Sequence, residues 1–112
     1  MNCARHCLRC WPGAGMVDLR KAARGKPCMI RLPGCTGGGE DTVLAHYRLS
    51  GTCGMGMKPP DILGAWSCAG CHDIADGRKR VDMERDFIRL AHAEGCLRTL
   101  NALVKDGKFN GA

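Results

Sequence analysis

The pattern of apolar and polar residues predicts a short helix and a strand in the first half of the chain. Residues 17–26 combine basic and spaced apolar positions, which is typical of one or two helical turns, and Gly25 ends them. Residues 42–47 form an apolar run with β-branched members and predict a strand. We expect this strand to pair in a hairpin with the apolar segment 28–35, across the glycine-rich loop 36–41.

Two helices are predicted in the second half of the chain. The loop 48–60 is too rich in glycine for regular structure. The chain then passes through residues 61–66 into a helix that begins at a Cys-x-x-Cys motif and runs to about Asp76. Asp82 is expected to cap a final helix lying across the core, which Gly95 interrupts at modest cost. The apolar positions of this helix recur at helical spacing and are Met83, Phe87, Leu90, Ala91, Leu97, Leu100, Leu103 and Val104.

Composition indicates one small domain with a thin hydrophobic core. The chain has 112 residues, of which 4% are aromatic, with 16 glycines and 5 prolines. A core of this kind needs additional cross-links. We interpret the nine cysteines as metal ligands rather than disulfides, because their number is odd and no apolar run of signal-peptide length starts the chain. No window reaches transmembrane length, so we expect a reducing compartment and no membrane partner.

Four of the cysteines are spaced as ligands of one metal ion. Cys68 and Cys71 form a Cys-x-x-Cys pair, whose two thiolates can close on one ion from a tight turn. With Cys28 and Cys35 they make a four-thiolate set that suits tetrahedral zinc, and such a closed site is structural rather than catalytic. Six residues separate the first pair, more than the usual two to four, and Cys53 is an alternative to either member.

Residues 1–15 are a candidate extension outside the folded domain. Their three cysteines are Cys3, Cys7 and Cys10. This spacing could bind zinc or an iron–sulfur cluster. The simpler interpretation is that Met16 is the natural start, that 1–15 is a disordered extension, and that 16–112 is the domain.

The charge is unevenly distributed along the chain. The formal net charge is +6, with six Lys/Arg against one acid in 1–27, three against five in 28–77 and eight against five in 78–112. Basic flanks around an acidic, histidine-containing centre are typical of a polyanion-binding protein with a divalent-metal site. The alternative is an ordinary solvated surface.

Two histidines are candidates for hydrolytic chemistry. His46 is near the end of the predicted strand and His72 directly follows the Cys-x-x-Cys pair, so the two could face one another. Phosphodiester hydrolysis needs a general base to activate water and a divalent cation to stabilise the leaving oxygen. The alternative is that both histidines are core groups of a plain zinc ribbon. His92 and Cys96, on the last helix, are assigned to packing or surface positions rather than to ligands.

Three motifs carry a resemblance to a known family. The Ala-His pair at 45–46, the Lys-Pro-Pro-Asp run at 58–61 and the Cys-Ala-Gly-Cys-His-Asp run at 68–73 resemble the zinc-bearing HNH (ββα-metal) endonucleases. With the runs 19–25 and 44–49 included, the chain is most similar to the small prophage-encoded nucleases of the YbcO type. That match covers roughly Met16 to Gly107.

The resemblance implies an α+β fold with a zinc-stabilised ββα-metal (HNH-like) core and a C-terminal helix. It implies a metal-dependent DNA endonuclease of phage or prophage type, with structural Zn²⁺ and catalytic Mg²⁺ or Mn²⁺. His46 falls at the position of the general base and His72 at that of a catalytic-metal ligand. The chain departs from the pattern at Ala45, where the family has a metal-binding Asp, and at Asp61, where it has Asn.

The missing carboxylate at position 45 needs a substitute if a catalytic cation is to be held. Asp61, Asp73 and Asp76 are the candidates, and Asp61 is preferred because it occupies the central position of the motif. The rival hypothesis is a non-catalytic nucleic-acid-binding zinc module, and Ala45 is the feature that favours it.

The expected partner is DNA, in the cytoplasm of a bacterial host. The apolar face of the last helix is a candidate homodimer surface. The residues expected to contact phosphates are Arg20, Lys21, Arg24, Arg48 and Lys58.

Overall fold

The computed structural model describes residues 18–52 and 59–107 and shows a small α+β fold. A two-stranded sheet is combined with three helices, and a 3-10 turn precedes the second strand. The elements are α1 (Leu19–Ala23), β1 (Val43–His46), the 3-10 turn (Asp61–Leu63), β2 (Gly64–Ser67), α2 (Ala69–Ala75) and α3 (Arg85–Lys105). The positions outside the described residues on which predictions fall are Cys3, Cys7, Cys10, Cys53 and Lys58.

The sheet pairs strands that are far apart in the sequence. β1 and β2 are antiparallel, with Leu44 opposite Trp66 and His46 opposite Gly64. The predicted hairpin between 42–47 and 28–35 is therefore wrong. The segment 28–35 contains a proline, which cannot donate to a ladder, and it contacts the other edge of the sheet through the Met29 N–H, which donates to the Trp66 carbonyl at 2.7 Å. β2 was missed because a strand of four residues is too short to show a period.

The two short helices lie where they were predicted, although α1 is shorter than the predicted segment 17–26. Asp18 caps α1, and its carboxylate accepts hydrogen bonds from the N–H groups of Arg20 and Lys21 at 3.1 and 3.2 Å. α2 follows Cys68, which acts as its N-cap, and Asp76 is its C-cap. The next residue, Gly77, has φ +79, a left-handed conformation that glycine adopts without steric cost. These observations confirm the predicted helix that starts at the Cys-x-x-Cys motif.

The long helix α3 differs from the prediction in its start and in its buried face. It begins at Arg85 with Glu84 as N-cap, so the predicted cap Asp82 is wrong. The residues that α3 buries are Ile88, His92, Gly95, Thr99 and Leu103. Three of the predicted core positions are exposed instead, namely Phe87 at 49%, Leu90 at 59% and Leu97 at 67%.

No helix in the described part of the chain is long and apolar enough to cross a membrane.

Hydrogen bonds from polar side chains explain why α3 turns a different face to the core from the one that the apolar pattern predicts. The Thr99 hydroxyl accepts a hydrogen bond from the Trp66 N–H at 2.9 Å, and His92 Nε2 donates to the Ala45 carbonyl at 2.9 Å. Both bonds satisfy backbone groups of the sheet that would otherwise be buried without partners. Satisfying them turns the apolar stripe of α3 away from the core, so the hydrophobic period alone gave the wrong face.

Gly95 allows α3 to approach the segment 28–35 closely. A Cβ added at position 95 would lie 3.0 Å from the Met29 carbonyl oxygen and 3.1 Å from Ile30 Cα. Both contacts are with backbone, and the Met29 carbonyl also accepts a hydrogen bond from Arg98 at 2.8 Å. The glycine is therefore a packing requirement rather than a helix interruption.

Gly95→Ala is expected to lower stability although alanine is the better helix former. Helix propensity favours the substitution by about 1 kcal/mol, while overpacking against a fixed backbone costs about 1–3 kcal/mol. Gly70→Ala in α2 is the matched control, because a Cβ there meets no atom within 4 Å. Thermal melts of both variants measure the difference. A Gly95→Ala melting temperature at or above that of Gly70→Ala would contradict the packing argument.

Candidate active site and metal centre

Four cysteines form a compact cluster. The Sγ atoms of Cys28, Cys35, Cys68 and Cys71 all lie within 4.8 Å of one another, and those of Cys35 and Cys68 are 3.8 Å apart. A tetrahedral zinc ion with bonds of about 2.3 Å holds its sulfur ligands about 3.8 Å apart. Cys35 is partly exposed and the other three cysteines are buried. The cluster is the set predicted from the spacing, and its donors fit a structural zinc ion.

Local backbone geometry brings the two pairs together. Cys68 and Cys71 lie at the N-cap and in the first turn of α2, where the Cys71 N–H donates to Cys68 Sγ at 3.4 Å. In the other pair, the Cys35 N–H donates to the Leu32 carbonyl at 2.9 Å and closes a tight turn. The Gly37 N–H then donates to Cys35 Sγ at 3.2 Å. Hydrogen bonds from N–H groups to sulfur favour the thiolates that a metal ion needs.

The thiols of the cluster differ in acidity. Burial raises the pKa of Cys68, but hydrogen bonds from the N–H groups of Cys71 and Thr36 outweigh it and lower the pKa to about 6. Burial raises the pKa of Cys71, and the neighbouring Cys68 and Cys28 thiols add to the rise. Burial also raises the pKa of Cys35. Metal binding is therefore expected to release protons from the thiols whose pKa is raised.

A fifth cysteine of the described region is outside the cluster. Cys96 on α3 donates from Sγ to the Leu63 carbonyl at 3.7 Å. Burial raises its pKa to about 11. A neutral buried thiol of this kind is a packing residue, as was expected for Cys96.

His46 is hydrogen-bonded to Asp61. His46 ends β1, Asp61 begins the 3-10 turn before β2, and the distance from His46 Nε2 to Asp61 Oδ1 is 2.7 Å. Because an ionised carboxylate only accepts hydrogen bonds, the neutral imidazole carries its proton on Nε2 and its lone pair on Nδ1. Burial raises the pKa of Asp61, but the hydrogen bond to His46 and the charge of Arg20 outweigh it and lower the pKa. The Arg20 Nε lies 3.5 Å from the same carboxylate oxygen.

His72 is paired with Asp76 one turn further along α2. The distance from His72 Nε2 to Asp76 Oδ2 is 3.2 Å. An octahedral cation with bonds of about 2.1 Å has neighbouring ligands about 3.0 Å apart. The donor atoms of this pair are thus spaced as two adjacent ligands of one divalent cation. Asp61 contacts His46 and Arg20, and none of its contacts within the described residues is with His72.

Arg78 is a residue of the site that the sequence did not reveal. Its Nη2 lies 3.1 Å from Asp76 Oδ2 and 3.3 Å from His72 Nδ1, and its Nε lies 3.4 Å from Asp73 Oδ1. Gly77 reverses the chain after α2, and the Arg78 N–H then donates to the Asp73 carbonyl at 2.8 Å. Gly77 could have indicated Arg78 from the sequence, because a glycine that ends a helix predicts a chain reversal. The reversal places the following residue beside α2.

Arg78 competes with a cation for His72 and Asp76. A guanidinium group only donates hydrogen bonds, so its contact with His72 Nδ1 leaves the proton of the neutral ring on Nε2. A cation that binds His72 at Nε2 needs the other tautomer, in which Nδ1 carries the proton. Arg78 must therefore release Nδ1 when a cation binds there.

One cleft contains both histidines. Its volume is about 810 Å³, and both His46 and His72 line it. A second cavity, of about 280 Å³, also borders His46. The charged residues of the larger cleft are Arg20, Lys21, Arg24, Arg48, Asp76 and Arg78. Four of the five predicted phosphate contacts are thus at this cleft, while the fifth, Lys58, is outside the described residues. Asp73 is not among the lining residues and contacts Arg78 instead.

Position 45 provides no ligand to the cleft. Ala45 is fully buried and packs with Ala65 in the core that contains the four cysteines. Successive residues of a strand point to opposite faces, so the side chain of Ala45 is on the face opposite that of His46. Asp76 is the carboxylate next to His72 in its place.

His92 supports the strand that carries His46. It is buried at 6% exposure, donates from Nε2 to the Ala45 carbonyl, and its ring contacts the Tyr47 ring edge-on with centroids 5.0 Å apart. Burial lowers its pKa, so the ring stays neutral near neutral pH. His92 is a packing residue, as expected.

Comparison with known proteins identifies related sequences. The family model described as "Putative nuclease YbcO" matches residues 17–108. Relatives with that name from Escherichia coli (strain K12) and Enterobacteria phage 82 are each 45% identical over 93 residues, which is 82% of this chain and 96% of the relative.

A solved structure has a similar fold. It is described as "Structure of a putative bacteriophage protein from Escherichia coli str. K-12 substr. MG1655". The TM-score is 0.67 at 36% sequence identity, and the match covers 80% of this chain and 100% of the other.

The purified protein is expected to contain about one zinc ion per chain, held by the four cysteines. Cys71→Ser should lose the zinc and melt at a lower temperature, because one thiolate ligand is removed from a buried site. Cys96→Ser is the matched control, since Cys96 is outside the cluster. Elemental analysis and thermal melts, with and without chelator, measure both effects. Zinc retained in Cys71→Ser, or lost in Cys96→Ser, would contradict the assignment.

Proposed function

The chain belongs to the family described as "Putative nuclease YbcO", and from this premise we propose that it is a metal-dependent DNA endonuclease of the HNH (ββα-metal) type. The observation that carries the proposal is that a paired base, His46 with Asp61, and a paired cation ligand, His72 with Asp76, meet at one basic cleft. The order β1, β2, α2, with His46 ending β1 and His72 on α2, supports the ββα assignment.

His46 is the general base of the proposed reaction. Its Nδ1 takes a proton from water, and the water oxygen forms a bond to the phosphorus atom of the DNA backbone. The bond from phosphorus to the leaving oxygen breaks, and that oxygen takes up a proton from solvent. Asp61 keeps the other ring proton on Nε2 and stabilises the imidazolium that forms. The Arg20 Nε lies 3.5 Å from the same Asp61 oxygen and adds a positive charge beside it. Asp61 thus acts on His46, which differs from the cation-ligand role expected from its position in the motif.

His72 and Asp76 are the residues that would hold the cation. A bound Mg²⁺ or Mn²⁺ supplies positive charge for the leaving oxygen in phosphodiester hydrolysis. Imidazole and carboxylate donors suit Mn²⁺, and a carboxylate with water ligands suits Mg²⁺. Asp73 orients Arg78 through the contact at 3.4 Å. Arg78, once released from His72, can bind a phosphate oxygen at the same place.

DNA is the substrate that the cleft supports. The basic residues at the cleft other than Arg78 are Arg20, Lys21, Arg24 and Arg48. Arginine side chains bind phosphate oxygens through paired N–H groups, and a row of them attracts a polyanion along its length. We place the activity in the cytoplasm of a bacterial host, and a related protein from a phage supports a phage or prophage setting.

A non-catalytic nucleic-acid-binding module is the second candidate. Two observations favour it: position 45 has no carboxylate, and Arg78 already provides a positive charge to Asp76 at 3.1 Å. On this alternative the same cleft binds DNA without cutting it.

Cleavage of plasmid DNA by the zinc-loaded protein with Mg²⁺ or Mn²⁺ tests the proposal. His46→Ala should lower the rate about 100- to 10,000-fold, the usual contribution of a general base. Asp61→Asn should lose less activity than Asp61→Ala, because an amide oxygen can still accept the hydrogen bond from His46 Nε2 although it carries no charge to stabilise the imidazolium.

Zinc content and melting temperature should stay the same in these variants, which controls for unfolding. If neither wild type nor His46→Ala cuts DNA but both bind it, the binding-module function replaces the nuclease. If Asp61→Asn is as inactive as Asp61→Ala, the orienting role of Asp61 is wrong.

A further inference from the structure

A second, smaller cavity adjoins the catalytic cleft and is strongly basic. Its volume is about 280 Å³, and four arginines and one carboxylate are among the residues that line it. Arg48, Asp76 and Arg78 are shared with the larger cleft, as is His46. These four shared residues therefore form the boundary between the two cavities, and they include His46 and Asp76 of the candidate catalytic groups.

Arg85 and Arg89 belong to the smaller cavity alone. They are one turn apart at the start of α3, so both project from one face of the helix. Neither has a salt bridge with a carboxylate of the described residues. Arg89 is held over the Tyr47 ring, with its Cζ 4.7 Å from the ring centroid. Two unneutralised guanidinium groups at a concave surface make a positive potential that attracts anions.

We propose that the smaller cavity is a second phosphate subsite, which binds the DNA strand on the side of His46 opposite Arg20, Lys21 and Arg24. This inference rests on the proposed function, because it takes the scissile phosphate to lie at the boundary between the cavities. A strand that crosses this boundary has flanking phosphates on both sides. Arg85 and Arg89 then bind the flanking phosphate that the larger cleft cannot reach.

The size and chemistry of the cavity favour a phosphate group of a strand. Sites that enclose a whole small-molecule ligand have volumes of about 300–1,000 Å³, so a cavity of 280 Å³ is suited to a smaller group. Arginine forms paired N–H···O bonds with phosphate, and stacking on Tyr47 fixes the plane of the Arg89 guanidinium. Arg85 is the first residue of α3, so the positive end of the helix dipole adds to the potential there.

The salt dependence of DNA binding tests the subsite without cleavage. Zinc-loaded His46→Ala protein is titrated into a fluorescent DNA duplex at several salt concentrations. Adding Arg85→Gln and Arg89→Gln together should weaken binding about 10-fold and reduce the salt slope by about one per arginine. Lys105→Gln, at the far end of α3, removes one charge outside both cavities and should leave affinity and slope nearly unchanged.

Neutral phosphates locate the subsite along the strand. A single methylphosphonate is moved along one strand, and the loss of binding is measured at each position. The His46→Ala protein should bind less tightly when the methylphosphonate lies on either side of one linkage. When Arg85→Gln and Arg89→Gln are added, a methylphosphonate on one side of that linkage should no longer weaken binding. When Arg24→Gln is added instead, a methylphosphonate on the other side should no longer weaken binding. Identical patterns in the two variants would overturn the subsite.

The outcomes separate this inference from the proposed activity. If wild type cuts DNA, and the same arginine substitutions made in wild type leave both binding and cutting unchanged, the subsite is wrong and the nuclease stands. If wild type does not cut DNA but the methylphosphonate pattern changes on one side, the subsite stands in a binding module. A reduction of the salt slope in Lys105→Gln equal to that per arginine would show only a general charge effect and would overturn the subsite.

Discussion

The four-cysteine cluster is the constraint on which the rest of the structure depends. It joins the irregular segment 28–35 to the junction of β2 and α2, and these parts of the chain share little regular hydrogen bonding. The core around the cluster is made of small and medium side chains, several of them cysteine and alanine. Such a core gives little stability by burial alone. A metal ion held by the cluster would add to the few contacts that join this segment to the sheet, such as the Met29 N–H bond to the Trp66 carbonyl.

The cluster positions the candidate site through the sheet. α2 follows Cys68, its N-cap, so the four-cysteine cluster lies at the point where the chain leaves the sheet toward His72. The register of the sheet sets His46 opposite Gly64, directly after the 3-10 turn that contains Asp61. The His46–Asp61 pair and the His72–Asp76 pair are therefore both positioned by the two-stranded sheet and the helix that follows it. His92 secures this arrangement from behind, through the Ala45 carbonyl.

The local features of the fold were predictable because they depend on neighbouring residues. The Cys-x-x-Cys turn and the glycine that ends α2 act within a few positions of the chain. The strand partner of β1 was not predictable, because a loop of unknown geometry separates it from Gly64–Ser67. The buried face of α3 was also missed, since Thr99 and Gly95 pack inward for hydrogen-bonding and steric reasons that hydrophobicity does not report.

The same distinction applies to the candidate site. His46, His72 and the four cysteines could be named from spacing, and the structure brings each set together. The carboxylate partner of each histidine could not be named from spacing, because Asp61 and Asp76 are two of several nearby carboxylates. Arg78 was overlooked for a related reason, since its contacts depend on the reversal at Gly77. The proposed nuclease activity depends on one property, namely whether His72 and Asp76 accept a cation that displaces Arg78.

Binding of Mn²⁺ to the zinc-loaded protein, followed by electron paramagnetic resonance, tests that property most directly. The account predicts about one bound Mn²⁺ per chain, as expected for a single imidazole-carboxylate site. Binding should be lost in His72→Ala and retained in His46→Ala, since His46 is bonded to Asp61 rather than to the cation pair. Absence of Mn²⁺ binding in wild type, or undiminished binding in His72→Ala, would contradict the account and favour a binding module.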